Sequence, residues 1–172
     1  KRQMDGFRVY MTGDAPYEGP EEPTLSERCL IGFGQTGGPG MLSVLYHNNY
    51  QFVQTPDNFV IWVEMVHDTR SIKMDGRHRT DGIRPWMGDS IGRWEGDTLV
   101  IDTTNFPPQQ NLRGSSENLH VVERLTRVDR DTILLQFTVN DPTTFTRPWS
   151  GEVPLHASPE MIFEYACHEG NY

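Results

Sequence analysis

The sequence predicts an all-β fold: a single antiparallel β-barrel or strongly curved sheet behind an extended Pro/Gly-rich N-terminal arm, with a β-sandwich as the alternative. Three observations lead there. Short runs rich in β-branched and aromatic residues recur at hairpin spacing. Turn residues punctuate them. No segment carries a long 3.6-residue apolar stripe with caps, so only single helical turns are expected, near Leu25–Arg28 and Pro142–Phe145.

Residues 1–24 hold Gly13-Asp14-Ala15-Pro16 and Glu18-Gly19-Pro20-Glu21-Glu22-Pro23. Repeated proline removes backbone donors and breaks periodicity, so this stretch reads as an arm and residues 25–172 as the barrel-like domain. Residues 32–40 are glycine-rich. They lack the Gly-Lys-Ser/Thr ending and the strand–helix frame of a phosphate loop, so a flexible turn is expected.

The strands follow in order. Tyr50–Thr55 alternates and stops at Pro56-Asp57-Asn58. In Phe59–His67 the odd positions share one face, with Trp62 and Glu64 on the other. His67-Asp68-Thr69 turns into Arg70–Met74, closed by the turn signal Asp75-Gly76. Ser90–Trp94 pairs with Thr98–Thr104 across Glu95-Gly96-Asp97, and Leu119–Val128 with Thr132–Val139 across Asp129-Arg130-Asp131. A last pair is expected from Pro148–Leu155 and Met161–Ala166. Eight such strands enclose room for side chains or one small ligand.

Composition narrows the function. A net charge of −9 and a pI near 5.0 argue against a nucleic-acid footprint or an anionic membrane surface. No apolar run approaches the roughly 18 residues of a membrane span. The two cysteines, Cys29 and Cys167, read either as buried thiols or as one disulfide. An even count without a Cys-x-x-Cys pair suits a secreted staple, worth about 4–5 kcal/mol for so long a loop.

Candidate chemistry centres on histidines beside charged residues. His67 adjoins Asp68, His120 lies near Glu123 and Arg124, and His168 adjoins Glu169. A histidine in such company serves as an acid, a base or a ligand anchor, or simply as a hydrogen-bonded strand residue. His120 and Arg124 share one face of their strand. Glu123 shares the other with Leu119, Val121 and Leu125, and either face can be the core. Asp102 and Asn105 end apolar faces, as pocket-floor residues do. The Arg77–Asp89 stretch sets Arg84, Trp86 and Asp89 among other cations. It reads as a pocket rim for a planar, anionic or sugar ligand, or as a solvated crossover. No His-x-His, His-Glu-x-x-His or Asp-x-Asp-x-Asp-Gly pattern marks a metal site, and no cofactor is expected. Gly88-Asp89-Ser90-Ile91-Gly92 has the Gly-x-Ser-x-Gly spacing of a nucleophile elbow but lies in a hairpin pattern without the strand–turn–helix frame that an elbow needs.

The run Trp86–Phe106, with Glu64-Met65-Val66-His67-Asp68, Asp141-Pro142-Thr143-Thr144 and Glu164–Tyr172, resembles a family of uncharacterised bacterial proteins that usually carry secretion signals. The resemblance covers about residues 25–172. It implies a periplasmic or extracellular location, a Cys29–Cys167 disulfide, and a chain that continues past Tyr172. The Gly-Arg-Trp-Glu-Gly-Asp hairpin is also similar to the opening hairpins of lipocalin-type barrels, a likeness of fold alone.

These readings together predict a secreted or periplasmic β-barrel that binds a small polar or anionic molecule. The alternatives are a hydrolase, lyase or isomerase using His67, His120 and Asp102, and a non-catalytic envelope subunit docking a protein partner through its arm. In the first case His67, His120 and His168 share a cavity with Arg84, Trp86, Asp89, Arg93, Asn105 and Arg124 around it.

Overall fold

The computed structural model describes Gly19, Pro23 and residues 25–32, 36–44, 46–109 and 112–168. The arm expected over residues 1–24 lies outside the described residues, apart from Gly19 and Pro23.

Eight strands form one strongly curled sheet in the order of the chain: β1 Tyr50–Gln54, β2 Asn58–Val63, β3 Thr69–Met74, β4 Asp89–Glu95, β5 Thr98–Thr104, β6 His120–Arg127, β7 Thr132–Asn140 and β8 Trp149–His156. Among the described residues the sheet ends at β1 and β8 without joining them, which makes it a half-barrel with no further strand paired to either edge. The described residues contain no α-helix, and so no helix long and apolar enough to cross a membrane. The two expected helical turns are single turns. Leu30 N–H reaches Leu25 O at 2.9 Å, and Phe145 N–H reaches Asp141 O at 2.8 Å.

The structure departs from the expected hairpin rhythm in three places. β3 and β4 run parallel and pair only through Lys73–Ile91 and Met74–Gly92. The long crossover of residues 75–88 permits this, because a parallel neighbour needs a connection that carries the chain back to its starting end. β2 stops at Val63, and a short 3₁₀ turn over Met65–His67 follows, so His67 does not extend the Phe59–Val63 face. The pairing expected of Met161–Ala166 is absent as well: residues 157–168 form no strand, and Pro154 in β8 stands opposite Leu134 on the last strand of the sheet.

Alternation along the strands packs two apolar clusters on the inner face. One gathers Ile61, Val63, Ile72, Leu99, Ile101, Leu125 and Leu135; the other holds Phe106, Leu119, Val121, Phe137 and Val139. Glu123 lies on the same face between Val121 and Leu125, with no exposed surface. Of the glycine-rich stretch 32–40 expected as a flexible turn, residues 33–35 lie outside the described residues; residues 36–40 are buried, and Gly40 N–H donates to Glu123 Oε1 at 2.7 Å.

A disulfide joins Cys29 to Cys167 with Cα atoms 5.7 Å apart. It fits an oxidising, extracytoplasmic environment. With Phe163 N–H donating to Glu64 Oε1 at 3.1 Å, it ties the C-terminal segment back to the end of β2. A groove of about 800 Å³ follows the seam between the edge strands, lined by Tyr50, Phe52, Val153, Leu155 and Met161.

Candidate functional site

Above their two-residue pairing β3 and β4 part, and a cleft of about 730 Å³ opens between them. Cys29–Ile31 lines it from the N-terminal side, and Arg77, Arg79, Trp86 and Met87 of the crossover line it as well. His67, Asp68 and Lys73 contribute from β3 and the turn before it, Asp89 and Ser90 from β4. The turn is strained: Val66, a buried β-branched residue, has φ 56°, and His67 has φ 48°.

A buried polar belt lies beside the cleft. Arg70 is 2% exposed. Its Nε donates to Ser90 Oγ at 3.1 Å, and its Nη2 donates to Thr103 Oγ1 at 3.0 Å and to the Glu123 carboxylate. The side chain thus crosses β4 and β5 to reach β6. Gly38, at φ 115°, packs so closely that a Cβ there would stand 2.3 Å from Arg70 Nη1. Asp68 accepts Gly32 N–H at 2.7 Å. Burial pushes its carboxyl up to about 6, against the Gly32 hydrogen bond and the nearby His67 charge.

A second cluster occupies the outer face. Asp89 on β4, Asp102 on β5 and His120 on β6 point away from the core, opposite in parity to Ser90, Thr103 and Val121. His78 from the crossover sits between the carboxylates: Nδ1 is 3.0 Å from Asp89 Oδ2 and Nε2 is 3.0 Å from Asp102 Oδ1. His120 Nε2 is 3.1 Å from both Asp102 oxygens. Arg79 N–H also donates to Asp89 Oδ2, at 2.8 Å.

The sequence-predicted residues therefore divide. His67, Trp86 and Asp89 line the cleft. Asp102 and His120 bond to each other on the outer face, joined to Asp89 through His78. Arg84 holds the crossover by donating from Nη1 to Phe106 O at 2.7 Å and Glu117 O at 3.3 Å, and Asn105 Nδ2 donates to Arg79 O at 3.3 Å. Arg93 and Arg124 both pair with Glu95 in solvent. His168 is exposed beyond the disulfide, in a segment with no strand. His67 lines the cleft and His120 and His168 do not: His120 stands on β6, with β5 between it and the cleft wall of β4, and the chain is no longer in the sheet at His168.

Sequence reasoning left Asp68, Arg70, Lys73 and His78 out of the site. Arg70 could have been found: it has the parity of the core residue Ile72, and Glu123 has that of Val121 and Leu125. Two opposite charges on inward faces of one curled sheet must meet or remain unpaired.

Among the described residues, no group of three or more His, Cys, Asp or Glu side chains is arranged to hold a metal ion. No protein-family model, curated protein or solved structure matches the chain.

Proposed function

We propose that this is a secreted or periplasmic protein that binds a small polar or anionic molecule with a planar or sugar-like face in the cleft between β3 and β4. One observation carries the reading. In a chain of net charge −9, Lys73 and Arg77 line this cleft without an ion pair to any described residue. Trp86, 37% exposed, offers a flat apolar surface beside those cations. The disulfide supports the compartment, as does the resemblance to a secreted family. Acid–base catalysis is a second reading, favoured by the Asp102–His120 contact.

Isothermal titration with inorganic phosphate, citrate, glucuronate and 1-naphthyl phosphate tests the proposal. Binding of at least one, weakened about tenfold or more in Lys73→Ala/Arg77→Ala, is the expected result. Failure to bind any of them, or unchanged affinity in the variant, overturns it.

A further inference from the structure

Asp89, His78, Asp102 and His120 form an unbroken hydrogen-bonded row across β4, β5 and β6. Donor counting sets its chemistry. An ionised carboxylate only accepts hydrogen bonds, and a neutral imidazole has one donor and one acceptor. His78 presents both ring nitrogens to carboxylate oxygens. Both bonds exist together only when Asp89, His78 and Asp102 hold one proton more than a neutral imidazole between two carboxylates. Without that proton, a nitrogen lone pair faces a carboxylate oxygen, and attraction turns to repulsion.

The row fastens the cleft wall. His78 belongs to the same crossover as Arg77, Arg79 and Trp86, all of which line the cleft. It bridges that crossover to two strands at once. Further hydrogen bonds hold the crossover: Asp75 N–H on Gly92 O, Arg79 N–H on Asp89, Arg84 on Phe106 O and Glu117 O, and Asn105 on Arg79 O. Charged groups face His78 from each packed element: Asp89 from β4, and Asp102 from β5 with His120 of β6 behind it. On the crossover itself, the Arg79 guanidinium is engaged by Asp81.

We infer that the Asp89–His78–Asp102 bridge is a proton-operated clasp that holds the crossover, and with it the cationic wall of the cleft, against the sheet. The effect on ligand rests on the binding reading above; the movement of the crossover does not. Keeping that extra proton closes the clasp, and losing it on the alkaline side releases it.

Hydrogen exchange of the full chain without ligand, expressed as protection factors, tests this at about pH 6 and about pH 8.5. Wild type is expected to lose protection over residues 77–87 by about tenfold or more at the higher pH, the scale of one charge-assisted hydrogen bond. His78→Gln, which cannot donate from both ends, is expected to be weakly protected at both pH values. His120→Gln should keep the wild-type response. Should His78→Gln fail to fold, Asp102→Asn serves instead: its amide donates to the neutral His78 ring, so protection should no longer fall at the higher pH, and a wild-type pH response in this variant overturns the clasp. Ring-nitrogen NMR of His78 at about pH 6 should report a proton on both nitrogens or on the adjoining carboxylate. Protection that ignores pH, or a wild-type response in His78→Gln, overturns the clasp. Titration with 1-naphthyl phosphate at both pH values separates the two ideas. A responsive loop without binding sinks the binding reading alone, whereas binding with an unresponsive loop sinks the clasp alone.

Discussion

Arg70 and Glu123 pair inside the half-barrel although β4 and β5 separate their strands. The curl of the sheet and the length of the arginine make the contact. Ser90 and Thr103 are its stepping stones, and Gly40 N–H satisfies the second carboxylate oxygen.

Removing one partner strands a buried charge. Arg70→Met or Glu123→Leu alone should cost about 3–5 kcal/mol in urea unfolding. The double variant should be distinctly more stable than either single one, since apolar residues there join the two neighbouring apolar clusters. A double variant as damaged as the sum of the singles would contradict this account.

Asp68 makes stability fall as pH rises. Its native pKa of about 6 exceeds the ordinary carboxylate value of 3.8. Between those values the native state keeps a proton that the unfolded chain has lost, so about 2 kcal/mol of stability disappears from pH 4 to pH 6, and about 3 kcal/mol over the whole span of both titrations. Asp68→Asn keeps an acceptor for Gly32 N–H and should flatten that slope, gaining stability at pH 7 but not at pH 4. Denaturation curves across this range give the answer.

Asp141 has the opposite sign. Burial alone would raise its pKa, but hydrogen bonds from Thr143, Ser116 and Thr144 outweigh it and hold the carboxyl below its usual value. Its stabilisation is present above the unfolded carboxylate range and lost as pH falls through the native value. Asp141→Asn should therefore lower thermal stability near neutral pH and lose that deficit in acid.

The Cys29–Cys167 bond encloses 138 residues of sequence separation. Its removal in Cys29→Ser/Cys167→Ser should cost about 4–5 kcal/mol in the chain-entropy picture. Because Cys29 also lines the cleft, affinity for any cleft ligand should drop with it. Equal melting temperatures for oxidised and reduced protein would count against both effects.

Much of the fold was legible because hairpins are local. Glu95-Gly96-Asp97 and Asp129-Arg130-Asp131 turn where Gly and Asp chemistry says they should, and alternation then sorts the residues into two faces, though for β6 it leaves open which face is the core. The parallel β3–β4 pair was not legible, since nothing within either strand records its neighbour. Of the site, Asp102 beside His120 follows from strand position, whereas His67 reaches the cleft from a 3₁₀ turn that replaces the expected strand end. His78 does not follow from its position, because a crossover residue acquires partners only when the loop lies down on the sheet. Glu123 shares its strand face with Leu119, Val121 and Leu125 in the sequence, but that this face is the core, and that Arg70 meets it there, needed the curl.

Among the described residues no strand pairs with the outer side of β1 or β8, and an open strand edge invites other chains to add themselves strand by strand. β1 is only five residues long, which limits the template it offers. β8 is longer, and there Pro154 interrupts the series of donors that an incoming strand would need. The half-barrel can thus keep its seam open without becoming the seed of a filament.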